Sequence, residues 1–240
     1  MSGKQLIRAT SKNPSVHSFS ECYLDVIAKK YGTDKSTENN GYVLHYEQHF
    51  AALRSSPIRL LELGVHDGRS VRMWADYFPQ GQIYGVDISA ESKMVEGGRI
   101  KVFTGDLSQE DTYQGLSEWF QGEQFDIIID DASHLGWQQR KSFERLFPCL
   151  VSGGFYVIED LGTSYWPKWG GALGRKYTGI GLVKELVDYV NSSAYRDTED
   201  SRTFGSPEPG DIQTDLEKSI YAVYTYKYVT FIVKSRSEEQ

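Results

Sequence analysis

The stretch IRLLELGVHDGRS, residues 58–70, decides the fold. An apolar run of strand length ends at Gly64, and Gly68 follows four residues later ahead of a segment with helical spacing. A glycine just past a strand turns the backbone tightly and lets a ligand approach where a Cβ would otherwise stand. Outward from this turn the pattern repeats. IYGVDI (83–88), IKVFTGD (100–106), FDIIIDD (125–131) and FYVIED (155–160) are further apolar runs, with helix candidates near 68–77, 109–120 and 136–150 between them. Continuous apolar runs suit strands covered on both faces by helices. Strand and helix in alternation predict a mostly parallel, doubly wound sheet, an α/β fold of Rossmann-like type. In such sheets the ligand crevice lies at the carboxyl ends of the strands.

The flanks differ from this middle. Residues 1–17 are polar, the expected signature of a frayed tail. Residues 18–54 read as helix broken around Gly32 to Gly41, with Leu24, Ile27, Ala28 and Tyr31 at helical spacing. This predicts an N-terminal helical extension over 1–54 on a single α/β domain over 55–240. A further helix is expected at 179–195. Residues 196–213 are polar with two prolines and read as a lid or as plain surface loop. SIYAVYTY and YVTFIVKS close the chain as an antiparallel hairpin.

Composition narrows the function classes. The 240 residues are 39% hydrophobic and 25% charged, with a formal net charge of -7. That acidic balance argues against nucleic acid or an anionic membrane as partner, because both attract a positive field. No apolar run reaches transmembrane length and residues 1–15 lack the apolar centre of a signal peptide. A cytoplasmic location is the expectation, and Cys22 and Cys149 are expected to be reduced thiols.

Acids close the strands. Glu62 precedes Gly64, Asp87 ends the second run 23 residues after that glycine, and Asp106 follows the third. An acid at the second strand end is placed to accept hydrogen bonds from ribose hydroxyls. The other reading is that these acids cap turns. The dinucleotide pattern GxGxxG is not met, because the turn is GxxxG and His66 stands where a glycine is needed.

The fourth and fifth strands end in IIIDDASH and VIED, so Asp130, Asp131, His134, Glu159 and Asp160 gather at one sheet edge. Carboxylates converging beside a buried core repel one another unless a cation joins them. Oxygen ligands suit a hard divalent ion, Mg²⁺ or Mn²⁺. His134, in the turn after the strand, has the near-neutral basicity of a general base. His45 and His49 read as structural or substrate-side, and His17 as solvated.

ExGxxxG with a downstream acid resembles the first motif of class I S-adenosylmethionine-dependent methyltransferases. Together with YGTDK (31–35), HYEQHF, IIIDDASH, SFERLFPCLVSGGFYVIED and TSYWP, the chain resembles the metal-dependent sugar O-methyltransferases of antibiotic biosynthesis, the mycinamicin-type enzymes acting on macrolide deoxysugars. The resemblance runs from about residue 31 to the final hairpin. It implies S-adenosylmethionine as cofactor, held by Glu62, Gly64, Asp87 and Asp106 with Ser70 and Asp130 beside them. It implies a metal held by Asp131, Glu159 and Asp160, with His134 as base. It also implies a small-molecule acceptor, a glycoside or nucleotide sugar carrying a deoxysugar such as rhamnose. Two positions depart from the pattern: Ala132 replaces the glycine of DDGSH, and GDLSQ stands for GDQSD after the third strand. The family's larger members carry an oligomerisation domain, so a homo-oligomer stays open. Tyr165, Trp166 and Trp169 are either an acceptor wall or loop packing. A catechol-type methyltransferase, a nicotinamide-dependent oxidoreductase and a non-catalytic cofactor-binding module are the alternatives.

Overall fold

A computed structural model describes residues 22–196 and 218–236. The tail 1–17, His17 within it, and nearly all of the polar segment 196–213 lie outside these described residues.

Among the described residues, seven strands form one sheet in the order β3-β2-β1-β4-β5-β7-β6. β1 (Arg59–Leu63), β2 (Gln82–Asp87), β3 (Ile100–Thr104), β4 (Phe125–Asp130) and β5 (Leu150–Ile158) run parallel. β6 (Ile220–Thr225) and β7 (Thr230–Lys234) form the expected hairpin, with β7 antiparallel to β5. Helices α1 (Tyr23–Tyr31), α2 (Val43–Phe50), α3 (Arg69–Tyr77), α4 (Glu110–Phe120), α5 (Gly136–Leu146) and α6 (Gly179–Arg196) cover the sheet.

The period-two alternation of the strands sorts side chains onto two cores. Leu60, Ile127, Ile129 and Val157 pack with α1, α2 and α3. Leu61, Leu63, Ile128, Tyr156 and Ile158 pack with α4, α5 and α6. The centres of β1 and β4 are therefore buried on both faces, which is why Leu60, Leu61 and Leu63 in β1 and Ile127, Ile128 and Ile129 in β4 are apolar without alternation. Each such fully buried aliphatic side chain contributes roughly 1.5–3 kcal/mol.

Two boundaries differ from the sequence reading. β5 begins at Leu150, five residues ahead of the apolar run at Phe155, and runs through Gly153 (φ +80°) and Gly154. The glycine pair reads as a break but accommodates an irregular register between β4 and β5. α5 stops at Leu146, and a single 3-10 turn over Phe147–Cys149 carries Pro148, which has no N–H to continue an α-helix.

The N-terminal segment sits directly on the sheet's carboxyl edge. α1 ends at Gly32 in a left-handed cap whose N–H reaches Lys29 O. The following turn is tied back by Asp25, which accepts from the Thr37 N–H at 2.8 Å and the Thr37 hydroxyl at 2.6 Å. The Val43 N–H then bonds Lys35 O at 3.1 Å, starting α2. These ties carry the Lys35 side chain over the ends of β1, β4 and β5.

Candidate active site

The strand order reverses between β1 and β4, and the site forms there, as expected of an open α/β sheet. Gly64 has φ +90°, and a Cβ on it would lie 2.2 Å from Asp131 O. Two strand ends thus approach as closely as backbone allows. The Asp131 N–H bonds Leu63 O and the Glu159 N–H bonds Asp130 O, each at 3.0 Å, so the ladder extends one residue past each strand and fixes both acids.

Asp87 accepts from the N–H groups of Val65 and His66, both at 2.8 Å, and from the Ser89 N–H at 2.8 Å. It braces the glycine turn while lining the crevice. Asp106 accepts from the Ser108 N–H at 2.8 Å, which holds its carboxyl below the ordinary range. Ser70 donates to Glu62 Oε2 at 2.7 Å and so orients that acid. Burial pushes Glu62 up to about 7, with Lys35 opposing the shift. Burial likewise pushes Asp130 up to about 7, and the Tyr156 hydroxyl stands 3.5 Å from it.

Gly64, Asp87, Asp106 and Asp130 line one cavity of about 290 Å³ together with Val86, Ile88 and Leu107. A second cavity of about 730 Å³ adjoins it across Gly64 and Asp87 and is lined by Lys35, Ser70, Asp131, His134 and Asp160. Asp87, Asp106 and Asp130 therefore border a partly apolar slot and Asp131, His134 and Asp160 a larger polar chamber, whereas Glu62 and Glu159 are buried behind these walls and line neither cavity.

Asp131, His134 and Asp160 bring one ligand atom each within 4.8 Å of one another. His134 Nε2 lies 3.4 Å from Asp160 Oδ2, and the Tyr42 hydroxyl donates to Asp160 Oδ1 at 2.7 Å. Glu159 points elsewhere. Its Oε2 accepts from Lys35 Nζ at 2.7 Å, and its Oε1 accepts a short hydrogen bond from the Tyr46 hydroxyl. Asp131, Glu159 and Asp160 are adjacent along the edge, but the residues that converge on one point are Asp131, His134 and Asp160.

Lys35, 1% exposed, occupies the middle of the cluster. Its Nζ is 2.5 Å from Asp131 Oδ2, 2.7 Å from Glu159 Oε2 and 3.6 Å from Glu62 Oε1. Burial alone would lower its pKa, but the three carboxylates hold it well above the usual lysine value, so it is a permanent cation. The lysine is the last residue of the YGTDK segment and carried no expected role. The only local signal is a lysine in a turn whose neighbours are all small or polar.

Backbone strain marks the same place. Among the described residues with positive φ other than glycine, His66 (+50°), His134 (+56°) and Asp160 (+54°) all line the larger cavity. Left-handed backbone at non-glycine residues is costly and collects at functional sites. Ala132 is not among them, so an alanine in place of glycine there is unstrained.

The remaining candidates divide. His45 stacks on Tyr226 with ring centroids 3.9 Å apart, and His49 Nε2 lies 3.0 Å from the Tyr226 hydroxyl. Both histidines pin α2 to the hairpin and take the structural reading. Tyr165 and Trp166 are exposed, in the turns that follow Asp160, and Trp166 meets Trp169 edge-on at 5.5 Å. Cys22 and Cys149 are both free.

Residues 61–161 match a family model described as a methyltransferase domain. The chain is 34% identical over 226 residues to the mycinamicin VI 2''-O-methyltransferase of Micromonospora griseorubida, covering 90% of this chain and 53% of that protein. It is also 34% identical to a tetracenomycin rhamnosyl 3'-O-methyltransferase of Streptomyces olivaceus, covering 98% of this chain and 57% of the relative. The solved structure of the MycE methyltransferase in complex with Mg and SAH superposes with a TM-score of 0.78 at 32% identity, over 90% of this chain and 55% of that one. The chain spans about half the length of the curated relatives it matches. Residues 61–161 thus match a methyltransferase domain, the fold is that of the MycE methyltransferase, and the chain is similar to antibiotic sugar O-methyltransferases over nearly all of its own length.

Proposed function

We propose that this chain is an S-adenosylmethionine-dependent, divalent-metal-dependent O-methyltransferase that methylates a hydroxyl of a deoxysugar, carried by a natural-product glycoside or a nucleotide sugar. The observation that carries the reading is the convergence of Asp131, His134 and Asp160 in a chamber that opens onto the glycine turn. The relatives support the same reading: two are named as O-methyltransferases of rhamnosyl tetracenomycins, and the MycE structure is a complex with Mg and SAH.

The residues fit both groups. His134 Nδ1 is buried without a hydrogen-bond partner, and Glu62 Oε1, with no hydrogen bond, has only the Lys35 ammonium 3.6 Å away. Glu62, Gly64, Asp87 and Asp106 would hold the cofactor, with Ser70 orienting Glu62 and Asp130 lining the floor of the slot. Asp131 and Asp160 offer oxygen ligands suited to Mg²⁺ or Mn²⁺. Glu159 joins them by releasing Lys35 or Tyr46, because each of its oxygens is bonded to one of them.

When bound, the ion would supply Lewis-acid lowering of a sugar hydroxyl's pKa and the cofactor an electrophilic methyl group. The protein's own part is positional and acid–base. His134 takes the hydroxyl proton, and Asp160, beside Nε2, orients the ring and stabilises the imidazolium. Gly64, which lines both cavities, lets the ends of β1 and β4 approach at backbone distance, and so would let acceptor and cofactor be held close to one another. The test is transfer of labelled methyl from S-adenosylmethionine to rhamnosyl glycosides and nucleotide sugars, run with Mg²⁺ and with chelator. Transfer that needs the ion is the expected result. Equal transfer in chelator overturns the metal assignment, and no transfer to any sugar overturns the acceptor class.

A further inference from the structure

We propose that Lys35 is a fixed internal cation that competes with a divalent ion for Asp131 and Glu159. The inference rests on the ion reading above. Both carboxylates lie at the strand ends where an ion would be held, and each gives one oxygen to the same ammonium. Glu159 has no oxygen to spare, since Tyr46 takes the other. Asp131 keeps only Oδ1, and Asp160, which Lys35 does not touch, supplies the remaining carboxylate of the cluster.

The lysine cannot relax out of the way cheaply. Its side chain is 1% exposed, and its backbone is held by the Val43 N–H on one side and the Thr37–Asp25 ties on the other. A buried ammonium that left its carboxylates would be an uncompensated charge. Lys35 thus does two things at once. It keeps three acids from three strands, Glu62, Asp131 and Glu159, together against their mutual repulsion. It also sets a ceiling on ion affinity by repelling a second cation and withholding two oxygens. A weakly held ion leaves its outer positions to acceptor hydroxyls, which suits a site where substrate completes the coordination.

The test is Mn²⁺ binding to the full chain, read by electron paramagnetic resonance of free Mn²⁺ and by the shift of Tm at saturation. Lys35→Met removes the charge and keeps the chain length. It is expected to bind Mn²⁺ about tenfold or more tightly than the parent protein, since a unit charge within a few ångströms acts strongly in a buried site. Its Tm should rise more on Mn²⁺ addition than the parent's does, because the ion replaces the lost charge. Adding Glu159→Gln to Lys35→Met should take the gain in affinity back. A lysine with a merely structural role would lower Tm without tightening the ion, so equal or weaker Mn²⁺ binding in Lys35→Met overturns the proposal and leaves the ion reading standing. If Lys35→Met folds only with Mn²⁺, the proposal is supported; if it stays unfolded at saturating Mn²⁺, it is overturned. Binding by none of the proteins, the parent included, overturns the ion reading itself and this inference with it.

Discussion

At the scale of single residues, the site is built from positions that ordinary backbone avoids. His134 and Asp160 both hold left-handed φ, and each is fixed by what surrounds it: Thr163 donates to His134 O at 3.0 Å and to Asp160 O at 2.9 Å. One hydroxyl thereby bridges the proposed base and its neighbouring acid. His134→Ala is expected to lower kcat by about 10²–10⁴-fold, the usual range for a lost general base. Affinity for S-adenosylhomocysteine should be unchanged, because His134 lines the larger cavity and not the one proposed for the cofactor. Steady-state kinetics alongside calorimetry check this, and near-normal kcat would remove His134 from the reaction. Gly64→Ala should behave oppositely. Its Cβ would clash with Asp131 O at 2.2 Å and with Ala132 Cα at 2.9 Å, and φ +90° is itself adverse. A loss of about 2 kcal/mol or more in chemical denaturation is expected, with cofactor affinity falling too.

Asp87, Asp106, Asp131 and Asp160 were legible in the sequence because each closes or follows an apolar run, where a charge is placed to border the crevice. The role of Lys35 was not. Its partners Asp131 and Glu159 are 96 and 124 residues away, and no local pattern encodes a contact across that distance. The placing of Glu159 was hidden for the same reason, since Tyr46 and Lys35, which take its oxygens, come from the N-terminal segment.

At the scale of elements, the segment from α1 to α2 is part of the site as much as the sheet is. It supplies Lys35, Tyr42 and Tyr46, all bonded to strand-end acids. Asp25 holds the connecting turn in place. Burial works to raise its pKa, but the Thr37 hydroxyl and N–H, with Lys29, hold it below the usual 3.8. A carboxylate with a depressed folded pKa contributes stability that is present above its unfolded value and lost as pH falls through the folded one. Asp25→Asn is therefore expected to cost about 1.5–3 kcal/mol near neutral pH, the range for hydrogen bonds to a charged group. The gap between variant and parent should close as the pH falls below 3.8. Urea melts across that window check it, and a gap that persists into strong acid would show that charge is not the cause. Most elements were readable from periodicity. The exceptions, the start of β5 and the end of α5, turn on Gly153, Gly154 and Pro148, whose effect depends on the strand or helix they meet.

At the scale of the whole molecule, a two-sided core of alternating strand residues carries a polar edge, and the α1–α2 segment closes over that edge. Among the described residues no helix is long and apolar enough to cross a membrane. The central claim is that the edge binds S-adenosylmethionine beside a divalent ion. The most direct measurement is calorimetric titration of the protein with S-adenosylhomocysteine, in Mg²⁺ and in chelator. The account predicts one-to-one binding in both conditions, since the proposed cofactor residues Asp87 and Asp106 line a cavity apart from Asp131, His134 and Asp160. Absence of binding in both would contradict it.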